Sequence, residues 1–318
     1  MTNDSLVRAT AADNQLRCIA AVTTNLVSEA CHRHRTFPTA SVALGRVLTG
    51  TLLLGASFKD LERITVHFSC NGAIRNIFAQ ADAMGNVRGY VTNPAADALE
   101  ANELDKFDVK AIVGGGTLYV QRQVGLEIGL SKEPYTGSVP IVSGEIGDDF
   151  AYYLAKSEQI NSGVGLGVFM NFDSKDVAQE TVATHFTKFS REALQVENAG
   201  GFIIQVMPDA TDETISHLEQ SLTSAPSPTA MLREGLAPVK ILQTALGDTE
   251  LTVLDESEPQ FQCNCTRQRA LTMITALGRE DIEDMIAKEN GAEVTCHYCS
   301  EVYRFSGEEL QVLLSQMP

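Results

Sequence analysis

Cys263-Asn-Cys265 and Cys296-His-Tyr-Cys299 place four thiols in two close pairs, with thirty residues between the pairs. Thiols at this spacing can hold a metal ion or exchange electrons through disulfides. Zinc prefers a tetrahedral set of thiolates, and cysteines one or two residues apart can reach one ion from a single turn of chain. The spacing therefore predicts one zinc ion held by Cys263, Cys265, Cys296 and Cys299, against the blander reading of four unrelated buried cysteines. His297 lies inside the second pair and could compete as a ligand, although a surface histidine is the simpler reading. Cys18 and Cys70 sit among apolar neighbours and read as core residues. Cys31 belongs to Cys31-His32-Arg-His34-Arg35, a basic run that suits a helix C-terminus better than a second metal site.

Elements around these pairs must bring them together. Thr266 can cap a helix with Ala270, Leu271, Ile274 and Leu277 on one face, ended by Gly278. Ile282, Met285 and Ile286 mark a second helix, stopped by Asn290-Gly291, and this pair of helices returns the chain to the first thiols. Val302 to Phe305 reads as a strand, and Ser306 with Glu309 forms a capping box ahead of Leu310, Val312, Leu313 and Leu314. The 56 residues from Cys263 to Pro318 hold little apolar mass. The metal is therefore expected to supply much of their folding free energy, about 10–16 kcal/mol for structural zinc near neutral pH. Four thiolates with one Zn²⁺ keep a net negative charge, and residues 263–299 add six acids against four bases, so little quenches the sulfurs' nucleophilicity. Each pair is close enough in sequence for a local disulfide. Oxidation would then eject the metal and unfold the tail, a redox switch expressed as a folding equilibrium.

The remainder reads as a larger α+β unit. A chain of 318 residues, 44% apolar, is long enough for two compact units. Its formal charge of -17 repels phosphate backbones and anionic lipid, so neither nucleic acid nor membrane is an expected partner. The first twenty residues carry no continuous apolar run, and Val42 to Phe58, broken by Gly45, Arg46, Thr49, Gly50 and Thr51, falls short of a membrane span. The protein reads as cytoplasmic, with an organelle as the alternative address. Pro38 opens a buried helix; Ile64 to Cys70, Asn71-Gly72 and Ile74 to Ala81 read as a hairpin with a tight I′ turn. Further strands are expected at Val87 to Thr92, Thr117 to Val124, Val164 to Phe172 and Phe202 to Met207, and helices at Asp149 to Ser157 and Thr211 to Ser221. Helices among hairpins predict a mixed helix and antiparallel-sheet sandwich.

Pro226-Ser-Pro228 punctuates the chain, so a first domain is placed at 1–227, a helical, partly acidic linker at 228–260 and the zinc module at 261–318. Within the linker, Met231, Leu232 and Leu236, then Val239, Ile241, Leu242 and Leu246, mark two helices too short to stand alone. Residues 248–262 hold five acids and no Lys or Arg, which reads as a loosely held connector or a solvated loop. Gly114-Gly-Gly116 and Gly163-Val-Gly-Leu-Gly167 lack the lysine and hydroxyl of a P-loop and read as turn glycines. Ser143, Glu145 and Tyr153 show no base–nucleophile pairing, so no enzyme is expected.

With these residues in hand, the sequence resembles the 33 kDa chaperonins, redox-activated heat-shock holdases. The likeness spans nearly the whole chain, and the cysteine spacing is its most specific part. Family-like segments are Ala43-Leu-Gly-Arg46, Gly89-Tyr-Val-Thr-Asn-Pro94, Pro134-Tyr-Thr-Gly137, Ser143-Gly-Glu145, Tyr153 with Ser157-Glu-Gln159, and Ala199 to Gln205. A departure is Asn71-Gly72-Ala73-Ile74, where a Gly-Pro turn is commoner. The resemblance implies an N-terminal domain that dimerises and binds unfolded client proteins, a helical linker and a C-terminal zinc-thiolate switch. It also implies that the reduced, zinc-bound form is inactive, and that oxidation forms Cys263–Cys265 and Cys296–Cys299 disulfides, releases zinc and loosens the linker. Two competing readings are a thiol oxidoreductase using Cys296 and Cys299, which lacks a thioredoxin-like βαβ context, and a nucleic-acid-binding zinc ribbon, disfavoured by charge.

Overall fold

Alternating burial sets the first strands. Residues Ser5–Ala11 (β1) and Leu16–Val22 (β2) pair antiparallel across a turn with Ala12, Asp13 and Asn14 at positive φ. Leu16, Cys18 and Ala20 face one apolar cluster and Ile19 and Ala21 the other, as a period of two requires. The computed structural model describes residues 3–58, 62–98, 107–123, 135–172 and 194–317. It divides into two units, Met1–Phe261 and Gln262–Pro318.

In the first unit, α1 (Thr24–His34) leads into α2 (Pro38–Gly55), which carries proline in its first turn and is buried on nearly every side. A helix apolar all round belongs inside a core, and α2 packs against strands of both large sheets. One sheet is built from β3 (Arg63–Cys70), β4 (Asn76–Asp82), β5 (Asn86–Val91), β6 (Gly116–Gln123) and β7 (Tyr135–Pro140), with a short sixth strand beside β5. The other joins β1 and β2 to β9 (Leu194–Val206) and β8 (Ser162–Phe172). Two further helices, α3 (Val109–Val113) and α4 (Gly147–Lys156), flank the first sheet's connections. Val124, the expected end of the strand from Thr117, and Pro134 of the family-like Pro134-Tyr-Thr-Gly137 lie outside the described residues. Among the described residues, no helix is long and apolar enough to cross a membrane.

The tight I′ turn expected at Asn71-Gly72 is instead a longer connection over residues 71–75, docked on α3. Gly72 N–H donates to Val113 O and Ile74 N–H to Ile112 O. A Cβ on Gly72 would lie 2.2 Å from Ile112 O, so glycine serves close backbone approach there. The glycines at 163–167 lie inside β8 rather than in a turn.

Past α5 (Asp212–Ser224), residues 228–260 hold α6 (Pro228–Arg233), α7 (Pro238–Leu246) and β10 (Leu251–Ser257). The strand β11 (Gln260–Phe261) adds to β5 in parallel. A Cβ on Gly167 would come within 2.8 Å of Thr229 N, so the glycines of β8 let α6 lie close. Met231, Leu232, Ile241, Leu242, Ala245 and Leu246 join a second apolar cluster with Val7, Leu16, Phe202 and Ile204. The acid-rich composition predicts a connector at 248–262, whereas β10 is an edge strand paired antiparallel with β1. The physical reason is long-range: Arg8 Nε and Nη2 donate to Asp255 Oδ1 and Oδ2, each at 2.6 Å.

That fork holds the Asp255 carboxyl below its ordinary value of 3.8. Both side chains are about two-fifths exposed, 39% and 41%, so the pair contributes about 0–1 kcal/mol. A depressed folded-state pKa means that this contribution is present above the unfolded value and lost as pH falls through the folded one. We expect the protection of β10 amides, measured against their intrinsic exchange rates at each pH, to fall as pH drops below 3.8, and Asp255→Asn to lower it similarly at neutral pH.

The second unit contains α8 (Arg267–Thr275), α9 (Arg279–Glu289), the hairpin of β12 (Gly291–Thr295) and β13 (Val302–Ser306), and α10 (Gly307–Gln316). Thr266 caps α8, and Ser306 with Glu309 forms the predicted capping box. The fully buried part of its apolar cluster is Ala270, Ile274, Ile282, Phe305 and Leu310.

Candidate metal centre

The first thiol pair lies in the extended segment that runs into α8. Arg269, in the first turn, donates from its backbone N–H to Thr266 Oγ1 and from Nη1 to Asn264 O at 2.5 Å, which holds the Cys263-Asn-Cys265 backbone against the helix start. The second pair sits in the loop joining β12 to β13. Cys296 N–H donates to Glu301 O and Ser300 N–H to Cys296 O, with Ser300 at φ 57°, so the chain folds back tightly on itself. Arg267 links the two regions: it donates to Arg304 O at 2.8 Å and to Glu309 Oε1 at 2.6 Å, and lies over the Phe305 ring.

These supports bring the Sγ atoms of Cys263, Cys265, Cys296 and Cys299 within 4.8 Å of one another. The Cys263–Cys296 and Cys265–Cys299 separations are 3.7 and 3.3 Å. A tetrahedral zinc with Zn–S bonds of about 2.3 Å would place its sulfurs about 3.8 Å apart, so the four thiols can hold one metal ion and suit zinc. Cys299 is buried, whereas Cys263, Cys265 and Cys296 are partly exposed. His297 is exposed and stands outside the cluster.

Burial raises the Cys296 and Cys299 thiols above their ordinary value. Backbone N–H groups oppose this, those of Tyr298 and Cys299 at Cys296 and that of Glu301 at Cys299. Hydrogen bonds with the sulfurs of Cys265, Cys263 and Cys296 raise Cys299 further. Four thiolates crowded into one volume need a compensating cation, so this donor set and a metal ion favour each other.

Tyr303 is a further residue at the thiol cluster that cysteine spacing did not reveal. Its hydroxyl donates to Cys265 Sγ at 3.2 Å, and that bond raises the phenol above its ordinary range. The available signal was strand alternation, since Tyr303 shares a face of β13 with buried Phe305. Groups bonded to metal ligands commonly affect affinity by about 10–100-fold. Tyr303→Phe is expected to weaken metal binding about tenfold in chelator competition while leaving the far-UV spectrum unchanged.

Other candidate residues have different roles. Burial pushes the Cys18 and Cys70 thiols up to about 12, and raises Cys31 as well. Glu145 pairs with Arg46 at 2.7 Å, Ser143 N–H donates to buried Asp149, and Tyr153 donates to Glu158. Each of the three is thus taken up by a separate structural partner.

A family model described as Hsp33 protein matches residues 4–306. The 33 kDa chaperonin of Listeria monocytogenes serotype 4a is 43% identical over 316 residues, covering 99% of each chain. That of Staphylococcus haemolyticus is 42% identical over 318 residues, covering 100% of this chain and 99% of its own. The crystal structure of the 33 kDa chaperonin from Thermotoga maritima superposes with a TM-score of 0.85 at 33% identity, covering 99% of this chain and 98% of that one.

Proposed function

This chain belongs to the Hsp33 family, and on that premise we propose that its chaperone activity is switched by oxidation of Cys263, Cys265, Cys296 and Cys299. One zinc ion bound by these four thiolates in the reduced state would tie the segment before α8 to the loop between β12 and β13. The observation carrying this reading is the convergence of four sulfurs within 4.8 Å in a unit whose fully buried apolar cluster is five side chains. Partial exposure lets an oxidant reach Cys263, Cys265 and Cys296.

Formation of Cys263–Cys265 and Cys296–Cys299 disulfides would remove two electrons from each thiolate pair, and one hydrogen peroxide per pair, accepting them with two protons from solvent, leaves as two waters. Sulfurs joined in this way no longer supply four thiolates, and the second unit loses its principal constraint. Phe261 ends β11 two residues before Cys263, so slack in the chain is expected to reach β11 and then β10. Release of α6 and α7 uncovers the sheet face bearing Val7, Leu16, Phe202 and Ile204. That face can hold unfolding proteins by burying their apolar segments. The oxidised form is a homodimer, and the reduced form waits inactive in the cytoplasm, where thiols are kept unpaired.

The test combines three readings on one sample: zinc release, free thiols and suppression of client aggregation before and after peroxide with mild heat. Thiol loss, zinc release and activity are expected to rise together. Equal activity in both states, or thiol loss with zinc retained, overturns the switch.

A further inference from the structure

β1 is an interior strand only because β10 lies beside it. On its other edge it pairs with β2 through all seven residues in unbroken register, and its sequence, Ser5-Leu-Val-Arg-Ala-Thr-Ala11, holds no proline and no acid. A regular strand without such guards is what an open sheet edge ordinarily avoids, since its free N–H and C=O groups pair with any extended chain. β10 does carry guards. Leu254 is an extra residue opposite the Arg8–Ala9 step, which makes a bulge, and Asp255 and Glu256 lie within the strand with Glu258 just beyond it.

What holds β10 is mainly its backbone. None of its seven side chains is buried: Thr252, Val253, Leu254 and Glu256 are exposed, and Leu251, Asp255 and Ser257 half-buried. Apart from the Arg8–Asp255 fork and Leu251 at the rim of the second apolar cluster, its place rests on main-chain pairing from Leu6 opposite Ser257 to Ala11 opposite Leu251. Main-chain pairing does not read side chains, so a strand held in this way can be replaced by one of different sequence. Directly opposed residues share a face of the sheet, and Val253 and Leu251 stand opposite Ala9 and Ala11. Every second side chain of a replacing strand therefore falls on the face of Val7, Ala9 and Ala11, which lies in one cluster with α6 and α7.

We propose that the edge of β1, once β10 has left it, binds an extended segment of an unfolding client, which joins the sheet as a strand in place of β10. This rests on the redox reading for the release of β10 and adds to it the mode of recognition: backbone pairing along the edge, with alternate side chains laid on the uncovered face. The feature read is an extended chain rather than a sequence, so one edge serves unrelated clients. Folded proteins are passed over because their backbone groups are already paired.

The test is fluorescence anisotropy with labelled heptapeptides on the full-length protein, oxidised and reduced. One peptide copies Leu251–Ser257, a second alternates threonine and valine, and two more are the second with alternate backbone nitrogens methylated in either phase. Both unmethylated peptides are expected to bind the oxidised protein about tenfold or more tightly than the reduced form, whose own tethered β10 fills the edge. A strand turns alternate N–H groups to each of its edges, so one methylated phase should lose about tenfold or more in affinity while the other keeps it. Docking through side chains would treat the two phases alike. Bound peptide should also restore amide protection to β1 in the oxidised protein. Absence of binding to the oxidised protein, equal binding to both redox forms, or equal behaviour of the two methylated phases overturns strand addition. Protection of β1 amides in the oxidised protein without peptide, lost on dilution to monomer, would assign the edge to a second copy and overturn the client assignment. Suppression of aggregation that appears on oxidation while no peptide binds overturns strand addition alone and leaves the thiol switch standing; neither suppression nor binding removes both.

Discussion

Chelation of the metal from the reduced protein is expected to unfold residues 262–317 while the core built around α2 stays folded. The second unit is below the roughly 70–80 residues at which a hydrophobic core alone supplies more than about 3–5 kcal/mol. Its fully buried apolar cluster is Ala270, Ile274, Ile282, Phe305 and Leu310, with Leu271, Met285 and Tyr303 among the half-buried neighbours. Structural zinc in modules of this kind contributes about 10–16 kcal/mol near neutral pH, which exceeds anything such a core can retain. Amide exchange is the appropriate measurement: protection in α8, α9 and α10 should vanish on chelation, while protection in α2 and β3 persists. Cys299→Ser should reproduce the result without chelator, because Cys299 is 3% exposed and a hydroxyl replaces a thiolate among four. Acid should act in the same direction, since the ligands bind metal when deprotonated and protons compete for them. A unit that keeps its exchange protection without metal would make the four cysteines ornaments on a self-sufficient fold.

Much of that unit was legible because its signals are local. Thr266 and Ser306 accept from backbone N–H groups three residues on, and Asn290 ends α9 in the left-handed conformation, so each boundary is written within one turn of chain. The helix α2 was legible for a similar reason, with proline at its start and an apolar run behind it. What the sequence hid depends on distant partners. β10 exposes most of its length and carries acids, so local propensity reads it as a connector; pairing with β1 and the Arg8–Asp255 fork make it a strand. β2 is buried at Leu16, Cys18, Ile19, Ala20 and Ala21, on both faces, which removes the alternation that marks a half-buried strand. In the centre itself, cysteine spacing pointed to the four thiols that converge, whereas Tyr303 reaches Cys265 through a β-hairpin whose first strand, β12, carries no comparable local signal.

Leu242→Asp is expected to give chaperone activity without oxidation and with a full complement of zinc. Leu242 is completely buried on α7, between Ile241 and the Ala245 and Leu246 turn, within the cluster on the outer face of the β1–β2–β9 sheet. Removing a buried leucine side chain costs about 2–5 kcal/mol, and a carboxylate in its place adds desolvation that has no partner to offset it. That is comparable with the whole stability of a short helix held by packing. The larger cluster around α2 contains none of residues 238–246, so the main fold should keep its circular dichroism. Client aggregation assays and an apolar dye should then report an uncovered sheet face, while the four thiols remain reduced and metal remains bound. Leu242→Ala should act in the same direction but incompletely, lowering the peroxide needed for activation. Gln243→Ala, at an exposed position on the same helix, should leave the switch unchanged. Leu242→Asp that remains inactive until oxidised would place client binding elsewhere than beneath α6 and α7. Activity without oxidation, by contrast, would make zinc and thiols the latch and the covered sheet face the working surface.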